Sequence, residues 1–340
     1  MLQVLDVDSG ERIGNYRVEQ VLGPTGCGLL LQAQHLVLPR RVILKVVHEA
    51  FAATQAYVLQ TLREACILEA VAHPGVPIVY ESGLLKDRRP WFAFEAITGP
   101  TLEELLAGGA LALRDAAALL RDLSDILEHA HRRGVIHRGL RPERIVITRT
   151  RRYPLCIPDW SEAIAHDATT RAPQLANLGA DSYLAPELAE DGEVIDDRAD
   201  MFALGVIGYR ALTGALPFAA GPGTPYLTAH QRRPDAPREL AALIDSLLAF
   251  DRFDRPSASD VRTAIDAMFD ALPQPAAVRD VLGSGPAVAR SLPPIPKPPG
   301  DAVPRSRRPR WTPEVRPSVE YNVRQPDTTL VDIVIKDDES

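Results

Sequence analysis

A short polar loop, "VIHRGLRPERIVI" at residues 135–147, concentrates side chains that could do chemistry. Its basic residues are His137, Arg138, Arg141 and Arg144, and its only acid is Glu143. Polar loops that follow apolar stretches often carry binding or catalytic groups. Gly139 lies in the middle of this loop, and a glycine can neither accept a proton nor hold a hydroxyl group in line for attack.

Two more features could contribute to a site. The glycine-rich turn "LGPTGCGLLLQA" at residues 22–33 could bring backbone N–H groups close to a phosphate, although it also suits a plain hairpin. Lys45 interrupts the apolar strand "RVILKVV" and either faces solvent or pairs with a carboxylate. Glu64, on the predicted helix that follows, is the candidate partner; its alternative role is a solvated helix charge.

The elements that must position these groups change character along the chain. Short apolar runs separated by glycine and proline predict strands, and longer runs of helical period predict helices. The predicted strands are residues 16–23, 29–37, 40–47, 76–83 and 90–97, and the predicted helices are 54–71, 114–134 and 200–214. The last helix is apolar on all sides, which indicates burial. A small strand-rich lobe is therefore followed by a larger helical lobe.

Composition argues against several classes of protein. The 340 residues are 46% hydrophobic and 24% charged, as in soluble globular proteins. The net charge of -7 does not favour nucleic-acid binding. The apolar runs are shorter than the ~18 residues of a membrane span, and the first residues lack a signal-peptide pattern. We expect a cytoplasmic protein without a membrane span.

The composition shifts near residue 272. From Pro273 onward lie 13 of the 30 prolines, and proline-rich sequence without apolar periodicity, such as "SLPPIPKPPG" at residues 291–300, cannot build a core. We therefore divide the chain into a lead at residues 1–11, a folded domain at 12–272 and a proline-rich, largely extended tail at 273–340.

Taken in order, these motifs resemble the eukaryotic-type protein kinase family over about residues 12–272, and "ALTGALPF" and "DRPSA" resemble its bacterial serine/threonine members. The resemblance implies an α+β, two-lobed fold, with a β-rich N-lobe at about 12–96 and a helical C-lobe at about 97–272. It also implies a buried Asp200 and an ion pair between Glu187 and Arg255. The family's stacked apolar spine matches Leu68, Val79, His137 and Trp160.

The catalytic loop departs from the family at four positions that form one cluster in active kinases. Gly139 replaces the aspartate that orients and deprotonates the substrate hydroxyl, a loss typically worth ~10²–10⁴ in rate. Arg144 replaces the asparagine that holds magnesium, and a guanidinium has no lone pair for a cation. Arg141 replaces the loop lysine, and Ala180 replaces a threonine that hydrogen-bonds the catalytic aspartate. We expect no catalytic residues and no metal site.

The nucleotide site is retained in outline but altered. By resemblance its positions are Gly23, Gly26, Gly28, Lys45, Glu64, Glu95, Ile97 and Asp159. Thr25 places a β-branched side chain where the phosphate-covering loop has a glycine. Ile43 replaces the alanine that packs on adenine, at a cost of ~1–3 kcal/mol, and Pro158 stiffens the turn at Asp159. No cofactor is expected; any ATP binding should be weak and not improved by magnesium.

The candidate contacts with partners lie outside this site. Arg138 matches the arginine that grips a phosphorylated activation segment, in which Thr169 and Thr170 could carry the phosphate. In the tail, Thr329 precedes Asp332 by three residues, a spacing that resembles ligands of forkhead-associated, phosphothreonine-binding domains. Residues 328–335, which begin with Thr328, alternate well enough to be a strand added to a sheet instead, and plain disorder is the third alternative.

Three hypotheses for function follow. The leading one is a pseudokinase, which is a kinase fold that binds other proteins, such as an active serine/threonine kinase or a forkhead-associated domain protein, without transferring phosphate. The second is a weak or unconventional ATP-dependent serine/threonine kinase that uses Asp159, with or without Glu143; Arg144 argues against a metal-dependent transferase. The third places the function in the tail, with the lobes as its carrier.

Overall fold

The structure is a computed structural model that describes residues 7–26, 28–148, 151–165, 182–189, 195–218 and 223–273. The chain divides into two units, Met1–Pro286 and Ala287–Ser340, and every described residue belongs to the first. Several residues singled out above lie outside the described ranges: Thr169, Thr170, Ala180, Thr328, Thr329 and Asp332.

The N-lobe is an antiparallel sheet with one helix against it. The strands are β1 (Arg12–Ile13), β2 (Tyr16–Pro24), β3 (Gly28–His35), β4 (Arg41–Val47), β5 (Val79–Leu84) and β6 (Pro90–Glu95), in the order β1-β2-β3-β4-β6-β5. Helix α1 (Gln55–Val71) follows β4. Leu31, Val42 and Leu44 are fully buried and form one core with Trp91. This burial fixes the register in which β4 presents Lys45 to α1.

The C-lobe consists of helices and two short antiparallel strand pairs. The helices are α2 (Leu102–Leu106), α3 (Leu113–His131), α4 (Pro186–Ala189), α5 (Arg198–Thr213), α6 (Ala229–Arg232), α7 (Arg238–Leu247) and α8 (Ala258–Met268). Strand β7 (Val135–Ile136) pairs with β10 (Ile164–Ala165), and β8 (Val146–Ile147) pairs with β9 (Leu155–Cys156). The two strand pairs place the 135–147 loop beside the turn that contains Asp159.

Helix α5 is buried along most of its length, as its apolar sequence predicts. Its Asp200, 1% exposed, accepts hydrogen bonds from the backbone N–H groups of His137 (2.8 Å) and Arg138 (2.7 Å). Arg138 has a φ of 60°, a left-handed conformation that is uncommon outside glycine. The helix thus determines the path of the loop.

The second buried anchor is the Arg255–Glu187 ion pair. The two guanidinium Nη atoms lie 2.6 and 2.9 Å from the carboxylate oxygens of Glu187. Arg255 Nε also donates to the carbonyl of Ala249 at 2.8 Å. The Arg255 side chain is 0% exposed and that of Glu187 is 9% exposed, so neither charge has much water to replace its partner.

We predict that Arg255→Met lowers the free energy of unfolding by about 3–5 kcal/mol, because it leaves the Glu187 carboxylate buried and unpaired. Urea denaturation measures this loss. Arg238→Met, on an exposed arginine at the start of α7, is the matched control and should change stability by no more than about 0.5 kcal/mol. Equal effects of the two substitutions would contradict the role given to this pair.

Candidate functional site

The lysine of β4 forms the expected ion pair with α1. Lys45 Nζ lies 2.6 Å from Glu64 Oε2, and the two side chains are only 5% and 3% exposed. Burial raises the pKa of the Glu64 carboxyl, and the adjacent Lys45 charge opposes that shift. The pair ties the sheet to the helix on the N-lobe side of the cleft.

The glycine-rich turn closes on itself. Thr25 N–H donates to the carbonyl of Gly28 at 2.7 Å, and Gly28 N–H donates back to Thr25 Oγ1 at 3.0 Å. A Cβ at Gly28 would collide with the carbonyl oxygen of Val46, so this position requires glycine. Gly23 and Gly26 have open space around them. The Thr25 hydroxyl therefore occupies one of the backbone donors that such a turn could offer to a phosphate.

The segment between the lobes is held by an arginine that sequence reasoning missed. Arg151 Nη2 lies 3.1 Å from Glu95 Oε2 and donates to the carbonyl of Val76 at 3.2 Å. Ile97 follows on the same segment and is half-buried. Ile43 faces Phe94 across β4 and β6 and packs against the main core. Only the β-hairpin β8–β9 brings Arg151 to Glu95, a proximity that sequence spacing does not indicate.

The turn at residues 159–161 is built around a buried indole. Trp160 is 0% exposed, its Nε1 donates to the carbonyl of Ile157 at 2.8 Å, and its ring centroid lies 4.6 Å from that of His137. Leu68 belongs to the same core as Trp160, and Val79 packs against that core. Gln60 of α1 also donates to the carbonyl of Ser161 at 2.9 Å.

Arg144 is the central side chain of the cleft. It ends a 3₁₀ turn, Pro142–Arg144, whose preceding residue is Arg141. Its three guanidinium nitrogens each have a partner: Nε lies 3.1 Å from Asp159 Oδ2, Nη2 lies 2.7 Å from Glu162 Oε1, and Nη1 donates to the carbonyl of Gly139 at 3.3 Å. The loop and the Asp159 turn are thereby joined by one cation.

Gly139 makes room for this arrangement. A Cβ at position 139 would overlap with Arg144 Nη1 and with Glu162 Oε2. The φ of this residue is not in the left-handed region, so what glycine provides here is space for the present positions of those two side chains. Glu162 was missed from the sequence; the signal that could have found it is an acid three residues after Asp159, facing a loop that is otherwise basic.

The charges of the cluster reinforce one another. Desolvation by the surrounding protein would raise the pKa of Asp159, but Arg144, Lys45 and hydrogen bonds from Ser161 outweigh it and lower the pKa to about 2. Burial likewise opposes the charged form of Arg144, yet Asp159 and Glu162 raise its pKa. Asp159 is therefore an ionised carboxylate that is paired with Arg144.

A magnesium ion, which the kinase resemblance implies, does not fit these residues. Its expected ligand position holds Arg144, which has no lone pair to donate, and both nearby carboxylates already bind that guanidinium. Within the ranges that the structure describes, no group of three histidine, cysteine, aspartate or glutamate side chains could hold a metal ion.

Arg138 is less exposed than its proposed phosphate-binding role suggests. The side chain is 7% exposed, and its Nε donates to the carbonyl of Glu162 at 2.7 Å. Nη1 is buried without a hydrogen-bond partner among the described residues. The activation-segment residues that would supply a phosphate lie outside those ranges.

Comparison with known proteins now identifies the family. The model of the protein kinase domain matches residues 16–264. The chain belongs to the protein kinase domain family. The serine/threonine-protein kinase pkn3 of Myxococcus xanthus is 31% identical over 280 residues, which are 74% of this chain and 50% of pkn3. PrkC of Bacillus subtilis is 27% identical over 274 residues, 77% of this chain and 42% of PrkC. The chain thus spans half or less of these relatives.

The kinase fold is confirmed by solved structures. The PknI kinase domain of Mycobacterium tuberculosis superimposes with a TM-score of 0.60 at 25% identity, covering 77% of this chain and 99% of that domain. Among the residues that the structure describes, no helix of this kinase-family chain is long and apolar enough to cross a membrane.

We predict that His137 makes stability depend on pH. Burial lowers the pKa of its imidazole, so the unfolded chain takes up a proton that the folded protein excludes. Stability present above pH ~6.5 should be lost as the pH falls below that value, by up to about 1.4 kcal/mol per pH unit. His137→Phe should make the free energy of unfolding fall less steeply between pH 7.5 and 5.5. Identical slopes would contradict this.

Proposed function

We propose that this kinase-family chain is a pseudokinase, a non-catalytic binding or scaffold protein in bacterial-type serine/threonine kinase signalling. The observation that carries the proposal is the Arg144 guanidinium, bound to Asp159 in the place where a kinase needs a metal. Gly139 adds that the loop has no side chain to accept the substrate proton. Loss of base and metal ligand together removes both positioning and charge stabilisation from phosphoryl transfer.

The opposing candidate is a weak or unconventional kinase. It is supported by the Lys45–Glu64 pair, which an active kinase uses, and by the contact between His137 and Trp160 within the core. These contacts equally suit a structural role, because each joins elements that must pack together in either case. A transfer assay separates the two candidates.

We predict no phosphoryl transfer to the protein itself or to generic substrates. Purified full chain, incubated with γ-labelled ATP and magnesium or manganese, should incorporate no label above a mock preparation. Label that appears with the unaltered protein and disappears with Asp159→Asn would overturn the pseudokinase proposal.

We propose that the protein binds ATP weakly and that magnesium does not improve this binding. Ile43 narrows the adenine position, Thr25 occupies a backbone donor of the turn, and Arg144 holds Asp159. Each feature acts on a different part of the nucleotide: the base, the phosphates and the metal.

A thermal scan at millimolar ATP tests this proposal. A ligand present at 100 times its dissociation constant stabilises by ~2.7 kcal/mol, which would raise the melting temperature by about 5–10 °C. We expect a shift below about 2 °C, with or without magnesium, and a larger shift for Ile43→Ala. A rise of several degrees that requires magnesium would contradict the proposal.

The tail is proposed as the partner-binding segment. Thr329 and Asp332 have the spacing of a forkhead-associated domain ligand, and Gly139 requires that a second, active kinase supply the phosphate. Addition of residues 328–335 to a partner's sheet is the alternative, and it needs no phosphate.

We predict that an active bacterial serine/threonine kinase phosphorylates Thr328 or Thr329, as mapped by mass spectrometry, and that a forkhead-associated domain then binds the full chain. Joint Thr328→Ala and Thr329→Ala substitution should abolish this binding, whereas Thr312→Ala, elsewhere in the tail, should not. Binding that survives the double substitution would remove the phosphothreonine proposal, and phosphate-independent binding would favour strand addition.

A further inference from the structure

We propose that Arg144 is a resident cation that replaces a metal ion and keeps the C-lobe side of the cleft assembled without metal or nucleotide. This inference rests on the proposed function, because an active kinase would need the same position for its metal ligand. It goes further, because it gives a side chain of the protein the structural role that a bound metal ion would have in an active kinase.

Each nitrogen of the Arg144 guanidinium has a partner. Two carboxylates, Asp159 and Glu162, bind two of its nitrogens, and the carbonyl of Gly139 accepts from the third. The Arg144, Asp159 and Glu162 side chains are 20%, 34% and 16% exposed, so water screens the pairs only in part. Without the arginine, two carboxylates would face each other across a poorly hydrated gap.

Gly139 leaves the space that the Arg144 side chain occupies. A Cβ at position 139 would overlap with the ends of the Arg144 and Glu162 side chains, so a larger residue there requires both ends to shift from their present contacts. Glycine at position 139 and arginine at position 144 therefore suit each other. An aspartate at position 139 would need the volume that the Arg144–Glu162 pair now fills.

Arg144 also lies in a chain of contacts between the lobes. From α1, Gln60 reaches the carbonyl of Ser161 in the Asp159 turn. From α5, Asp200 holds the loop at His137 and Arg138, and Arg138 reaches the carbonyl of Glu162. Arg144 joins loop to turn between these two ends, which is where a metal ion would otherwise join them.

The experiment removes the cation and offers a metal instead. The variants are Arg144→Asn, which leaves both carboxylates free, and Arg152→Asn, a matched control on an exposed arginine nearby. The readouts are the melting temperature in EDTA and in excess magnesium, and manganese binding followed by electron paramagnetic resonance. Neither readout depends on catalysis.

In EDTA we expect Arg144→Asn to melt about 4–8 °C below the unaltered protein, and magnesium to restore part of the loss. Manganese should bind this variant with a dissociation constant of about 0.1–1 mM, as in weak oxygen-ligand sites, and should bind neither the unaltered protein nor Arg152→Asn. Gly139→Asp alone should also lower the melting temperature, and less so when combined with Arg144→Asn.

The inference is overturned if manganese binds the unaltered protein as well as it binds Arg144→Asn, or if removing the arginine changes neither readout. If Arg144→Asn does not fold, Glu162→Gln is the variant to measure. This substitution keeps the shape of the side chain but removes one carboxylate, and an unchanged melting temperature would contradict the proposal. A failed pseudokinase proposal looks different, because it requires metal-dependent phosphoryl transfer by the unaltered protein.

Discussion

The contact on which the functional account depends is the one between Arg144, Asp159 and Glu162. A guanidinium with three engaged nitrogens supplies charge and geometry at a place where a kinase recruits a dissociable ion. A metal ion can dissociate from the protein and, while bound, neutralises charge on the phosphates. An arginine is part of the chain and stays bound to its carboxylates. Arg144 is thereby a fixed link between the loop and the Asp159 turn.

The fold around Arg144 is stabilised by contacts that take no part in phosphoryl transfer. The core that contains Trp160, Leu68 and α5 is stabilised by burial, and Asp200 and the Arg255–Glu187 pair satisfy buried polar groups. None of these interactions needs a base at position 139. The protein kinase fold can therefore keep its shape with glycine at position 139.

Sequence patterns predicted the parts of the molecule that follow from periodicity or from spacing within known motifs. The five predicted strands and three predicted helices lie within three residues of β2 to β6, α1, α3 and α5, and Lys45 pairs with Glu64 and Glu187 with Arg255 as expected. Helices α2, α7 and α8 were not predicted. Three contacts escaped prediction: Glu162 on Arg144 and Arg151 on Glu95, which tertiary folding creates, and the Thr25 hydroxyl on Gly28, which forms within one turn. Each is a side chain whose partner depends on which way a short turn faces, and periodicity does not encode that direction.

The most direct test of the account is a crystal structure of the unaltered protein grown with manganese and ATP, using anomalous scattering to locate the metal. The account predicts Arg144 within hydrogen-bond distance of Asp159 and no anomalous peak at coordination distance from that carboxylate. A manganese ion bound to Asp159, with the Arg144 side chain turned away, would contradict it.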